Sequence, residues 1–539
     1  MGVPFMLASP IARAAIAVPL LCYAYFLLRY HSYGYAVGGA IILAVYYAAA
    51  RSGTLLRGPA QAERWGKIVL LAAAVILPGL GLWQYLQADD IGDLDHATYA
   101  TALWNLAHGH WQYRFQGRHL FGIHSQYTAL AWIPVQWAAG GVGLKLGEGL
   151  CLLAAVALAY RRYRRTLSAP AWLAAALLLA PCLASQFFFG FHPEFLGAPL
   201  LVLALCAYAD QRLDRFLICT FLLAFTKETM TLAIAGVLIL ALWERRSWRW
   251  VLWPGLLCCA QMAAYWFLIL PRFAPAGNFL AGFLPPAPAR IPSLWFRSEN
   301  AYYALHVFLP FLPLALGYPL RYLALPLPLM AFYAAMPDTL FTVMWPNYAF
   351  PLAFLCAAAP ILSGRAPGNS AAADASPVRE ARTESDAASQ APAGSDAAWE
   401  ARILAACAVT SLLCYPLWRE IFSVPAGHWR HARESSRVNA QLPADSSVLA
   451  SSPCMDRFAA RREIAVWGDR SGQGPRPFPI EHYAYVVLDG TYMPYWLVDA
   501  EALRGAIRGM SASPAWETLY AQDSLYVFRR KPDGAGVRP

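Results

Sequence analysis

GVGLKLGEGLCLLAAVALAY, residues 141–160, runs directly into Arg161-Arg162-Tyr163-Arg164-Arg165. Twenty residues rich in Leu, Ala and Val make a helix roughly 30 Å long, the thickness of the hydrocarbon core of a bilayer. The arginine knot at its end marks a cytoplasmic loop. The same pairing of apolar run and basic knot recurs along the chain, as in Glu244-Arg245-Arg246-Ser247-Trp248-Arg249. Composition agrees: of 539 residues 58% are hydrophobic and 14% charged, and mean hydropathy is +0.40. Soluble domains carry about 25% charged residues. These values exclude soluble, disordered, fibrous and disulfide-scaffold classes. The net charge of +10 is confined to the short basic knots, so it orients helices and calls for no nucleic-acid partner. Ten of the eleven cysteines lie in or beside apolar runs, Cys454 alone sits in the polar tail, and no CxxC pair points to zinc or a disulfide framework.

The expected fold is an α-helical polytopic membrane protein of about 13 transmembrane helices with a small extracytoplasmic α/β C-terminal domain. Candidate spans are 11–30, 35–50, 68–86, 141–160, 170–186, 195–209, 215–227, 229–243, 250–270, 301–317, 322–336, 348–363 and 401–418. The first lacks a following cleavage site and reads as a retained helix, not a signal peptide. Arg51, Arg57, Arg64 and Lys67, then Arg161–Arg165, Arg212 with Arg215, Arg245–Arg249 and Arg321, all fall on one side if that side is the cytoplasm. Parity puts 87–125, 187–194, 271–300, 337–347 and everything after 419 outside, in the cytoplasmic (inner) membrane with the N-terminus inside. Five domains follow: an N-terminal hairpin with its cytoplasmic loop (1–66), a transmembrane core (67–363), a disordered Ala/Ser/Pro/Asp-rich cytoplasmic linker (364–399), a last transmembrane helix (400–418), and the outer α/β domain (419–539). In the last, 447–450, 463–467 and 483–488 read as strands, 501–510 as a helix, and 519–521 with 524–529 as a closing hairpin.

Three outer segments carry candidate chemistry. Asp89-Asp90-Ile91-Gly92-Asp93-Leu94-Asp95 places four carboxylates in seven residues directly after a span, followed by His96, Trp104-Asn105, His108, His110, His119 and His124. Such carboxylates serve as a general base or as oxygen ligands of a divalent cation, or else Asp93 and Asp95 simply cap the helix 97–106. The histidines lack the spacing of a zinc site, so no metal ligand is assigned. Phe191-His192-Pro193-Glu194 sets His192 and Glu194 between two spans, either at headgroup level or on the rim of a cavity shared with the first loop. Thr226-Lys227-Glu228-Thr229 interrupts an apolar stretch, as a self-neutralising turn or with Lys227 presented to a phosphate. Arg272, Arg290 and Arg297 flank a Pro-rich outer loop. A Walker loop, a GxGxxG ahead of a strand-helix unit, GxSxG and HExxH are all absent, which removes support for ATP-driven transport, nicotinamide chemistry and two hydrolase classes.

These stretches together resemble the bacterial and archaeal domain-of-unknown-function 2079 family of membrane proteins. The resemblance lies in Asp95, Ala102-Leu103-Trp104-Asn105, Gly109, His124-Ser125, Phe191-His192-Pro193-Glu194, Lys227-Glu228, and the tail segments Leu442–Ala450, Arg462-Glu463-Ile464 and Tyr485–Asp489. Ala100 stands where that family has a second Asp. The plan is similar to that of C-type glycosyltransferases, membrane enzymes that use polyprenyl-phosphate-linked sugars. The resemblance implies transfer of a sugar from a polyprenyl-phosphate-linked donor to an acceptor on the extracytoplasmic side. Asp95 would be the catalytic carboxylate, with Asp93 its nearest substitute. His124, His192, Glu194, Lys227, Glu228, Trp104 and Asn105 would be substrate-binding. A divalent cation is compatible with this chemistry, and the expected partners are the lipid-linked donor and the bilayer, with no nucleic acid. Two other readings stay open at this point: a transporter or flippase of a lipid-linked substrate, and a non-catalytic membrane protein acting through its outer domain.

Overall fold

The computed structural model describes residues 59–86, 93–111, 119–274, 297–316, 318–335, 350–363, 393–414, 428–451, 455–467, 480–490 and 500–531. The N-terminal hairpin and most of the 364–399 segment lie outside the described residues.

Within them the chain is a helical bundle. Three helices are long and apolar enough to cross a membrane: Pro59–Leu86, Tyr127–Tyr163 and Arg249–Phe273. Pro170–Leu179 and Pro181–Phe187, bent by 61°, pass as a fourth when joined. The bend falls at Pro181, whose ring removes a backbone donor and crowds the preceding turn. Of the thirteen expected spans, 11–30 and 35–50 lie outside the described residues, and the others are carried by helices of varied length. Thr229–Trp243 has 15 residues, about 23 Å of helix against about 30 Å of hydrocarbon. The stretches expected at 301–317, 322–336 and 348–363 are pieced, where described, from short α- and 3₁₀-segments with prolines at or near their junctions. The linker expectation is also trimmed, because helix Ala393–Cys414 begins inside it. Ala397, Ala398, Glu400 and Ala401 are strong helix formers that continue into the apolar run.

The bundle packs around Ala- and Leu-rich faces of Pro170–Leu179, Gly197–Ala209, Thr229–Trp243 and Ala393–Cys414. Trp137, Val75, Leu71 and Phe267 point outward, as side chains facing lipid do. Gly236 abuts the Leu325 carbonyl so closely that no side chain fits there. Arg162 bonds Asp210 at 2.7 Å, and Arg246 reaches Glu244 and the Tyr208 carbonyl, so the arginine knots gather at one end of the bundle. The turns at 124–126, 186–194 and 225–228 gather at the other.

Over that other end sits a five-stranded sheet: β1 Val448–Ala450, β2 Ile464–Val466, β3 Tyr485–Asp489, β4 Trp516–Gln522 and β5 Leu525–Arg530, in the order β2-β1-β3-β5-β4. β1 is parallel to β2 and β3, while β5 is antiparallel to β3 and β4. Helix Ala500–Ala512 covers one face through Leu503 and Met510. The other face shares a core with helix Asp93–Ala107. Buried Arg461 holds the domain's first turn, reaching the Asn439 side chain and carbonyl, the Pro443 carbonyl and Ser446 Oγ.

Candidate functional site at the carboxylate end of the bundle

The site is built from one helix and three turns. Helix Asp93–Ala107 starts at the acidic stretch and brings Asp95 to its first turn, with the side chain 38% exposed. The turn Gly190-Phe191-His192 swings His192 toward it. His192 Nε2 lies 3.6 Å from Asp95 Oδ2, and Nδ1 lies 2.7 Å from the Gly190 carbonyl. A carbonyl only accepts, so Nδ1 carries the proton. The ring stacks on Phe189 at 5.1 Å and meets Tyr99 edge-on at 5.4 Å. Burial alone would lower the His192 pKa, but Glu194 and Asp95 outweigh it and raise it above the usual histidine value. The imidazolium is thereby favoured.

Two residues on, Glu194 is almost fully buried and takes two donors. Lys227 Nζ lies 2.6 Å from Oε1, and Gln126 Nε2 lies 2.7 Å from Oε2. Glu228 is held by His124 Nδ1 at 2.7 Å, the Ser125 amide at 3.2 Å and Ser125 Oγ at 3.3 Å. Burial pushes the Glu228 carboxyl up, yet His124 and Lys227 hold it at about 2. The 124–126 turn thus ties 194 to 228, and the sequence-predicted His124, His192, Glu194, Lys227 and Glu228 form one network with Asp95 at its open edge.

Other expectations resolve differently. Lys227 turns its ammonium into Glu194 and does not present an open charge. Trp104 and Asn105 lie nine and ten residues along the helix from Asp95, roughly 15 Å down its axis. Trp104 stacks on His108 at 4.0 Å, and Asn105 donates to the Thr101 and Arg461 carbonyls, so Asn105 docks the outer domain and neither residue joins the cluster. Asp93 begins the helix. Among the described residues, no three His, Cys, Asp or Glu side chains meet as a metal-binding group.

Sequence reasoning passed over Lys145 and Glu148, one turn apart on helix Ile133–Tyr163 and both buried. Lys145 Nζ reaches the Gln186 and Phe189 carbonyls and lies 3.7 Å from Glu148 Oε1. The signal was present: two ionisable residues inside a membrane-length apolar run are costly and rarely idle.

A multi-helix membrane bundle, carrying a carboxylate–histidine pair and a buried ion-pair network under a small sheet domain, defines the class. Residues 88–527 match the family described as Predicted membrane protein (DUF2079), and the chain belongs to that family. The fold is similar to the crystal structure of ArnT from Cupriavidus metallidurans bound to undecaprenyl phosphate. That likeness has a TM-score of 0.51 and 13% identity and covers 87% of this chain and 99% of that one. The apo ArnT structure gives a TM-score of 0.48 at 13% identity over 86% of this chain and 97% of that one. No curated protein matches the sequence. The resemblance drawn from the sequence motifs therefore holds at the level of family and of fold.

Proposed function

We propose that this protein is a membrane glycosyltransferase that moves a sugar from a polyprenyl-phosphate-linked donor to an acceptor on the extracytoplasmic side of the inner membrane. The observation that carries the reading is the half-open Asp95 carboxylate set against His192 on a bundle whose fold is that of ArnT. The protein in that ArnT structure is bound to undecaprenyl phosphate. Asp95 takes the proton of the acceptor hydroxyl as its oxygen attacks the anomeric carbon. The bond from that carbon to the phosphate oxygen breaks, and its electron pair leaves with the polyprenyl phosphate. His192 orients Asp95. The Lys227–Glu194 pair fixes the turn that carries His192. Because Lys227 is neutralised there, an arginine is left to meet the leaving phosphate, and the candidate is Arg272, exposed on the short helix Leu270–Phe273 that packs against Leu120–Ile123. Lys227 and Glu228 lie in a connection between helices and not at mid-span, which favours a transferase over a transporter.

The test is consumption of a radiolabelled polyprenyl-phosphate sugar by the full chain in proteoliposomes, wild type beside Asp95→Asn. The rate should fall by about 10²–10⁴-fold, the usual contribution of a general base. Equal rates in a folded variant would remove Asp95 from the chemistry.

A further inference from the structure

The Lys145–Glu148 pair forms the floor of a crevice of about 160 Å³ between helices Pro59–Leu86 and Ile133–Tyr163. Pro78, Leu82, Leu146, Leu150, Leu153 and Phe187 make its walls. Leu150 at the rim is 65% exposed on the face that meets lipid, so the crevice opens to the bilayer and not to water. The two floor residues differ in what they lack. Lys145 donates to the Gln186 and Phe189 carbonyls and lies 3.7 Å from Glu148 Oε1, an ion pair beyond hydrogen-bond reach. Glu148 is 1% exposed, and neither of its oxygens has a hydrogen-bond donor among the described residues. A buried carboxylate without donors is costly, and deep in an apolar wall the donor has to come with a ligand.

We infer that this crevice is a binding site for a membrane amphiphile with a slim apolar chain ending in a hydroxyl, which donates to Glu148 while the chain lies along Pro78, Leu82 and Leu153. A phosphate head does not suit it. Lys145, the cation among the described residues at the floor, is held by two carbonyls and paired with Glu148, and a phosphate would bring a second anion against that carboxyl group, whose oxygens lack a hydrogen bond. The volume fits a short chain segment, since a cavity of about 150 Å³ holds a benzene-sized molecule. The site stands apart from the Asp95 cluster but is joined to it. Lys145 grips the Phe189 carbonyl, and Phe189 carries the stacked His192 ring. This inference does not depend on the transferase reading.

Gly149 supplies a clean block. A Cβ there would sit 3.5 Å from Phe187 and 3.9 Å from Pro78, ordinary contacts that fill the throat without disturbing the fold. The experiment is photolabelling of the full chain in nanodiscs by a diazirine-bearing fatty alcohol, with the matching alkyl phosphate and alkane as competing probes. The alcohol should label the 141–160 segment and outcompete both. Glu148→Gln exchanges the carboxyl group for an amide and should weaken alcohol labelling by up to roughly tenfold, the worth of one hydrogen bond. Gly149→Ala should reduce it with the elution profile unchanged. Equal labelling by the alkyl phosphate would overturn the choice of ligand. Labelling indifferent to Gly149→Ala would overturn the site, even if Glu148→Gln failed to fold.

Discussion

Lys227 and Glu194 make the sharpest stability prediction. Both side chains are about 95% buried, their atoms approach to 2.6 Å, and Gln126 occupies the second carboxylate oxygen. Lys227→Met strips the cation and leaves a buried carboxylate with one amide donor. Breaking such a pair costs about 3–5 kcal/mol. Glu194→Gln leaves the ammonium facing a neutral acceptor and should cost a similar amount. The double variant Lys227→Met, Glu194→Gln removes both charges while keeping an acceptor for Gln126 Nε2. Its cost should fall to about 1 kcal/mol, that of one lost hydrogen bond. The double variant is therefore expected to be more stable than either single one, with a coupling of several kcal/mol. The assay is thermal unfolding of the detergent-solubilised full chain, read as the fraction remaining monodisperse. Costs that simply add would refute the reasoning, because they would mean the two groups do not neutralise each other.

Further outcomes follow from the same geometry. Glu228, held at about 2 in the folded chain, contributes stability that is full above about pH 4.5 and is lost as pH falls toward 2. Unfolding measured from pH 6 to pH 3 should show this loss, and Glu228→Gln should flatten it. His192 has the opposite sign: its raised pKa adds stability that is complete below about pH 6.5 and fades as pH rises through the folded value. His192→Gln should abolish that alkaline decline in the same titration. Gly81→Ala should destabilise by about 1–3 kcal/mol, because a Cβ would overlap the Phe187 carbonyl oxygen and backbone cannot yield cheaply. Asn105→Ala removes the bond to the Arg461 carbonyl and should speed release of the outer domain in limited proteolysis, leaving the bundle folded.

The membrane class was legible in runs such as 141–160, because apolar length and basic flanks are direct consequences of bilayer thickness. The tail was legible too. Its strands at 448–450, 464–466 and 485–489 and its closing hairpin overlap the stretches read as strands, and the first three are short apolar runs buried almost throughout. The shape of individual spans was not, since hydropathy registers apolar stretches without seeing that Pro181 bends one helix or that 298–316, 320–334 and 350–363 are built from short pieces. In the site, His192, Glu194, Lys227 and Glu228 announced themselves as polar residues interrupting apolar sequence. Their partners did not. Gln126 and Ser125 are ordinary loop residues in sequence, and only the fold brings them to carboxylates 68 and 103 positions away. For Lys227 the sequence offered its neighbour Glu228 or an incoming phosphate as partner, whereas the fold pairs it with Glu194 on another turn.

The central claim is most directly tested by mass spectrometry of lipids that co-purify with the full chain, wild type beside Asp95→Asn. If Asp95 is the base of a sugar transfer, the variant retains the donor it cannot use and carries an intact polyprenyl-phosphate sugar. The wild type then carries mainly the spent polyprenyl phosphate. Bulk phospholipid alone in both preparations would contradict the account.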